Sequence, residues 1–338
     1  MRAMVLTGPG DLVLDSVAQP APSAEQILVR VTHSGICGTD YKIFNGSIPV
    51  RYPLIPGHEM AGEVVDPGSS TSFKSGDRVI IDPELYCGAC FHCRIGQTHL
   101  CPKGKLLGRD VNGGFADYVT APATHVFPLP AAVDGRTAPM IQVLTTCLHA
   151  QRQVDIFAGE TVVVLGLGVT GQLHVQLAKA RGARVIGITR SAEKRKLAET
   201  LGADLTIAGG DDVVEKVREA TEGRGADVII ETTGILAQLA SAVPMVRFGG
   251  RILMFGIFTV KEGALPFYDL YFKELTLIGA RVAKSEDYEA SIALVQRGVV
   301  RFDPLVSDVM PFGELRTAIG MLGSDGAAGR MKIIIEHG

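Results

Sequence analysis

The stretch ETVVVLGLGVTGQLHVQLAKARGARVIGITRS, residues 160–191, constrains this chain more than any other. An apolar run meets a glycine-rich turn, then residues at helical spacing, then a second apolar run. That order is a βαβ unit, whose parallel strands are joined by a right-handed crossover. The turn reads Gly166-Leu167-Gly168-Val169-Thr170-Gly171, a G-x-G-x-x-G in the strand-to-helix setting that a dinucleotide fingerprint requires. The first glycine permits the tight turn, the second lets the backbone approach a pyrophosphate, and the third lets helix and strand pack closely. The helix N-terminus then offers free N–H groups and a partial positive charge to the phosphates. A glycine-rich turn without a ligand is the plainer alternative, and the complete βαβ setting weighs against it.

The end of the second strand decides which nicotinamide fits. An NAD site places an acid about 20 residues past the glycines to take the ribose 2′-hydroxyl. That place holds Thr189, Arg190 and Ser191. No carboxylate stands there to repel a 2′-phosphate, and Arg190 offers one a forked, charge-assisted grip. The sequence therefore favours NADP over NAD, with Arg190 as plain surface charge the alternative. Lys194 and Arg195 follow on a helix, where such residues more often face water. The expected cofactor-binding set is Gly166, Gly168, Val169, Thr170, Gly171, Thr189 and Arg190.

The alternation of strand and helix continues. SAEKRKLAETLGAD reads as a helix with Ser191 as N-cap and Gly202 as its stop, and DDVVEKVREATEGRG as another. ADVIIETTG and GRILMFGIF read as buried strands. Together they predict a doubly wound parallel sheet over residues 148–283. Residues 1–147 differ: ILVRVTHSG, GHEMAGEVV, DRVIIDP and FADYVTAP are short runs set between Pro, Gly and Asp. This is strand-and-turn texture with little helical periodicity. A last helix, SEDYEASIALVQRG, and a closing strand, MKIIIE, predict that residues 284–338 return to the first domain.

A chain of 338 residues has room for about two domains of ~150 residues each. Its net charge is −3, with no basic block and no acidic tail, so nothing calls for nucleic acid or an anionic membrane. The opening MRAMVLTGPGDLVLD lacks the apolar run of a signal peptide. No stretch approaches the ~18–20 apolar residues that span a bilayer. The expectation is a cytoplasmic protein acting on a small molecule. Thiols stay reduced there, so clustered cysteines read as metal ligands. Cys87, Cys90, Cys93 and Cys101 stand close enough in sequence to surround one zinc at ~2.3 Å each. With all four positions taken, that zinc is structural. An iron–sulfur cluster is the alternative, because such runs often end before Pro and Pro102 follows Cys101.

Two further stretches, GICGTD at 35–40 and GHEMAG at 57–62, offer Cys37, His58 and Glu59. Cys and His are both good zinc ligands. A catalytic zinc takes about three protein ligands and leaves one position open. The pair alone is weak evidence, since a His beside Gly is more often structural. Yet GICGTD, PGHEMAGEV, GDRV, CGACFHCRIGQTHLC, GGFADYV and VLGLGVTGQ stand in a recognisable order and spacing. The chain resembles the zinc-dependent medium-chain alcohol dehydrogenases over nearly its whole length, most closely their polyol, sorbitol-type branch.

That resemblance implies a GroES-like β-rich catalytic domain (1–147 and 284–338), a Rossmann domain (148–283), an active site in the cleft between them, and two zinc ions per chain. By motif, Cys37 and His58 match the ligands of a catalytic zinc, with Glu59 as the alternate or direct carboxylate partner. Thr39 matches the hydroxyl that passes the substrate's proton, and Asp40 the carboxylate that orients His58. The four clustered cysteines match the structural lobe. The implied reaction is reversible oxidation of a secondary alcohol to a ketone, with hydride transfer to the nicotinamide. The branch favours a polyol, sugar or cyclitol, with simple alcohols or threonine-like amino alcohols as alternatives, and a homodimer or homotetramer. Arg109, Asp110 and Asn112 are either hydroxyl-binding side chains or plain loop residues.

Two positions depart from the family pattern. Gln142 stands where a Glu or Cys supplies the next zinc contact, and a neutral amide is a poor zinc ligand. Cys147, nearby, reads as a small buried residue rather than a substitute. Lys42 stands where many relatives place a His at the end of the proton relay, and either passes a proton or contacts a cofactor phosphate. Gln142 keeps another class open, an NADPH-binding protein with only structural zinc. A zinc-free quinone reductase would lack Cys37 and His58 together.

Overall fold

The chain is described by a computed structural model that covers residues 1–323 and 329–338. It divides into two compact units, Met1–Thr145 with Ala283–Gly298 and Phe302–Gly338, and Thr146–Val282 with Val299–Arg301. The first crossover therefore falls two residues before the expected boundary at 147, inside helix Met140–Gln153. The short segment Val299–Arg301 goes with the second unit because Gln176 clamps it. Gln176 Oε1 accepts from the Arg301 N–H at 2.8 Å, and Gln176 Nε2 donates back to the Arg301 carbonyl at 3.2 Å.

The first unit is built on a mixed sheet. Strand Gln26–Ile36 lies at its centre, with Glu59–Asp66 on one side and Lys332–Glu336 on the other. Its alternation of Ile27, Val29 and Val31 sends one face into a core shared with Met60, Val64, Val79 and Ile81. A second core, formed by Ile36, Ile43, Leu54, Phe115, Phe312, Ile333 and Ile335, lies beneath the end of the sheet that carries the site. Full burial of one such side chain contributes roughly 1.5–3 kcal/mol. The register pairs Gly35 with Glu59 and Ile36 with Ile333. Cys37, His58, Glu59 and Lys332 are thereby gathered at one end of three adjacent strands.

Residues 84–106 project as a small lobe. Its two-residue strands Glu84–Leu85 and Lys105–Leu106 pair with each other. Helix Phe91–Arg94 and the 3₁₀ turn Thr98–Leu100 bury no residue. The lobe has almost no apolar interior, so something other than hydrophobic burial must hold it together.

The second unit is a six-stranded parallel sheet. Its order is Leu205–Ala208, Arg184–Thr189, Thr161–Leu165, Ala226–Glu231, Val246–Met254 and Thr276–Gly279. In chain order this reads third, second, first, fourth, fifth, sixth, the doubly wound arrangement. Thr161–Leu165 and Ala226–Glu231 are buried along their whole length, as central parallel strands are. Val162 and Val164 feed one core while Val163 and Leu165 feed the other, so period-two alternation serves both covered faces. The order reverses between Thr161–Leu165 and Ala226–Glu231, the switch point outside whose carboxyl ends open α/β sheets bind ligands. No helix among the described residues is long and apolar enough to cross a membrane.

Candidate metal centres and cofactor site

Two groups of metal-ligating side chains converge among the described residues: Cys37, His58 and Glu59, and Cys87, Cys90, Cys93 and Cys101, each with ligand atoms within 4.8 Å of one another. In the four-cysteine group Cys90 Sγ lies 3.5 Å from Cys93 Sγ and 3.9 Å from Cys101 Sγ, and Cys87 Sγ lies 4.0 Å from Cys93 Sγ. A tetrahedron with ~2.3 Å metal–sulfur bonds has edges of about 3.8 Å, so the thiols fit a zinc ion. The Ala89 and Cys90 backbone N–H groups bring the Cys87 thiol down to about 6. Withdrawal from water and contact with the other thiols push Cys93 up to about 12. Four crowded thiols cannot all ionise without a cation among them.

The second group is assembled by short, local devices. Cys37 ends strand Gln26–Ile36 and caps helix Gly38–Phe44, where its backbone N–H donates to Asp40 Oδ2 at 2.8 Å. The seven-residue helix is not apparent in the strand-and-turn texture of this half, being too short for periodicity to register. It carries Thr39, Asp40 and Lys42, with Asp40 fully buried and Thr39 and Lys42 half-buried. Asp40 Oδ1 lies 3.2 Å from His58 Nδ1, which leaves Nε2 of the imidazole for a metal. Burial opposes a charge on His58. The Asp40 carboxylate outweighs it, with the Cys37 thiol adding to the effect, and holds the imidazole well above its ordinary value.

Glu59 opens its strand immediately after His58 and is buried. It reaches across the middle strand because residue 35 is glycine: a Cβ there would lie 2.1 Å from Glu59 Oε2. On the far side it meets Lys332, whose Nζ donates to Oε1 at 2.8 Å and to Oε2 at 2.7 Å. Burial works against the Lys332 charge, but Glu59 foremost, then Cys37, raise its pKa above the usual lysine value. Sequence reasoning missed Lys332. It lies 273 residues from Glu59, and only the antiparallel pairing of the last strand with Gln26–Ile36 brings it in.

Gln142 is buried near the start of helix Met140–Gln153, and Cys147 is fully buried further along it. Arg109 and Asp110 brace their own loop, and Asn112 ties that loop to the segment at Ile55. Arg109 pairs with Asp110 at 2.7 Å, Asp110 accepts from the Leu106 N–H at 2.8 Å, and Asn112 Oδ1 accepts from the Ile55 N–H at 3.0 Å. A cavity of about 450 Å³ in the first unit is lined mainly by apolar side chains such as Val5, Leu54, Leu107 and Tyr118, and holds none of the metal-ligating residues.

In the second unit the glycine turn sits where the strand order reverses. Gly166 takes a φ of +92°, the left-handed region that favours glycine. A Cβ on Gly171 would lie 2.0 Å from the Gly166 carbonyl, so the helix packs on the turn only without one. Gly168 caps helix Val169–Ala180 with no side-chain bond, and a Cβ there would meet nothing within 4 Å. The helix N–H groups are left to an anion. Gly168, Val169 and Thr170 are all half-buried. Thr189 ends strand Arg184–Thr189, and Arg190 is exposed. Arg195 Nη1 donates to the carbonyls of Thr189 at 2.9 Å and Arg190 at 3.0 Å, and Ser191 caps the next helix while donating to Glu193 at 2.7 Å. Gln172, unnoticed in the sequence, is fully buried and ties the turn to that helix through the Leu167 and Lys194 carbonyls.

A cysteine–histidine–carboxylate group in a β-rich unit and a dinucleotide turn in a doubly wound one define an oxidoreductase of the nicotinamide-linked, metal-assisted class. Residues 23–131 match the model of the alcohol dehydrogenase GroES-like domain, and residues 169–297 that of the zinc-binding dehydrogenases. The chain is 34% identical to a sorbitol dehydrogenase of Halalkalibacterium halodurans, over 91% of this chain and 92% of that one. It is 33% identical to a 2-dehydro-3-deoxy-L-galactonate 5-dehydrogenase of Pseudoalteromonas atlantica, over 94% and 93%. Among solved structures it is similar to a zinc-binding dehydrogenase of Sinorhizobium meliloti bound to NADP, with a TM-score of 0.93, 33% identity and 99% of each chain covered. The chain belongs to the zinc-type medium-chain alcohol and polyol dehydrogenases, which are NAD(P)-dependent oxidoreductases.

Proposed function

We propose that this protein interconverts a secondary alcohol of the polyol, sugar or cyclitol class and its ketone, with NADP preferred over NAD. The observation that carries the reading is the convergence of Cys37, His58 and Glu59 on one point at the end of the sheet. When bound, zinc supplies Lewis-acid polarisation of an alcohol oxygen and the nicotinamide accepts the hydride. The chain's own residues do the rest. Cys37 and His58 hold the ion, with Glu59 as the carboxylate within reach. Asp40 fixes the imidazole through Nδ1. Thr39 takes the proton from the substrate hydroxyl, and Lys42, three residues on along the same helix face, passes it on or contacts a cofactor phosphate. Cys87, Cys90, Cys93 and Cys101 hold a second, structural zinc.

The preference for NADP rests on Thr189 and Arg190 at the strand end. The family resemblance to an NADP-bound structure supports it. Glu193, two residues beyond Ser191, accepts a hydrogen bond from its hydroxyl. Substrate class rests on the sorbitol and galactonate dehydrogenase relatives. The test is a panel of polyols, cyclitols, threonine-like amino alcohols and simple alcohols, each assayed with both cofactors. The reading expects the highest kcat/KM for a polyol or cyclitol with NADP. A simple alcohol or threonine as best substrate overturns the substrate class, and equal or better rates with NAD overturn the cofactor reading. Gln142 favours a second reading, a nicotinamide-binding protein with structural zinc only. Two zinc ions per chain support the enzyme, and one supports this alternative.

A further inference from the structure

One ammonium holds both oxygens of Glu59. Lys332 Nζ donates to Oε1 at 2.8 Å, to Oε2 at 2.7 Å and to the Ile36 carbonyl at 3.1 Å, which uses all three of its N–H groups. The pair is almost fully excluded from water, with side chains 4% and 1% exposed. It passes over Gly35, where any side chain would collide with the carboxylate. Glu59 is also one of the three groups that converge at the metal centre. A single buried carboxylate therefore faces two cations. An ammonium stranded in this interior would be strongly unfavourable, so Glu59 is not freely surrendered to the metal.

We infer that Lys332 is a positioning residue that withholds Glu59 from the metal, keeping a coordination position open for substrate, and that Glu59 becomes a metal ligand when Lys332 is removed. This rests on the reading of Cys37, His58 and Glu59 as a zinc centre. Gln142 sharpens the effect: with a neutral amide at that position, Glu59 is the carboxylate that converges with Cys37 and His58 among the described residues, and Lys332 decides where it binds.

The test compares the zinc-loaded wild type with Lys332→Met, Lys332→Arg, Glu59→Gln and the double variant Glu59→Gln/Lys332→Met. It follows zinc release to a chelator and the visible absorption of the cobalt-substituted centre. Lys332→Met is expected to release the centre's zinc at least about tenfold more slowly and to change the cobalt spectrum, a size in keeping with outer partners of metal ligands. Lys332→Arg and Glu59→Gln are each expected to stay within about twofold of wild type, and the double variant within about twofold of Glu59→Gln, because the effect runs through the carboxylate. Release from Lys332→Met as fast as wild type overturns the inference. So does release at least about tenfold faster from Glu59→Gln alone, which would make Glu59 a resident ligand. If Lys332→Met does not fold, the near-isosteric Glu59→Gln decides by itself. A wild-type chain that binds one zinc rather than two refutes the metal-centre reading and the inference with it, whereas two zincs with no Lys332 effect refute the inference alone.

Discussion

Gly35 shows how much of a site can rest on a missing side chain. Gly35→Ala would place a carbon 2.1 Å from Glu59 Oε2, in a passage walled by two paired strands. Either the strands part or the Glu59–Lys332 pair breaks, and breaking a buried pair costs about 3–5 kcal/mol. Denaturant unfolding of Gly35→Ala should show a loss of that order, and an unchanged unfolding free energy would contradict this reading of Gly35. Arg190 lies at the other extreme, exposed at the end of strand Arg184–Thr189. Arg190→Ala should raise KM for NADP about tenfold or more, the loss expected of one charge-assisted grip, while KM for NAD changes little. Steady-state kinetics with both cofactors decide it. Cys37, His58 and the four clustered cysteines could be recognised from the sequence because ligand chemistry restricts residue type and spacing. Lys332 could not, because a lone lysine within the run MKIIIE carries no sign of its partner.

Among the elements, helix Glu286–Gln296 is tied to the loop after strand Arg78–Ile81 by a buried acid. Asp82 accepts from Ser285 Oγ at 2.7 Å and from the Glu84 N–H at 3.0 Å, while Tyr288 stacks on Phe127. Burial pushes the Asp82 carboxyl up from 3.8 to about 7, against the hydrogen bonds from Ser285 and Glu84. The folded state thus binds this proton more tightly than the unfolded chain. The stability it contributes is full below pH 3.8 and is lost as pH rises to about 7. Unfolding free energy should therefore fall over that range by up to about 4 kcal/mol from this group. Denaturant unfolding across pH should show a flatter slope in Asp82→Asn, and an unchanged slope would contradict the assignment. Helices and strands of the second unit were legible because βαβ alternation is long and periodic. Helix Gly38–Phe44 was not, because it spans only seven residues and is capped through Asp40 and the Cys37 backbone rather than by a Ser or Thr.

At the scale of the molecule, the division into a β-rich unit and a doubly wound unit followed from the change of texture near residue 150. Its fine boundary did not, because the chain crosses inside helix Met140–Gln153, whose apolar residues give no mark at the crossing. The return of Val299–Arg301 to the second unit was equally hidden, since it depends on the side-chain amide of Gln176, 125 residues away. The proposed function requires two cation sites of different kinds, one closed by Cys87, Cys90, Cys93 and Cys101 and one left open at Cys37, His58 and Glu59. Crystallographic anomalous scattering at the zinc edge measures this directly. The account predicts two peaks per chain, one among Cys87, Cys90, Cys93 and Cys101, and one at about 2.3 Å from Cys37 Sγ and about 2.1 Å from His58 Nε2. A single peak at the four cysteines, with protein prepared in zinc, would contradict it.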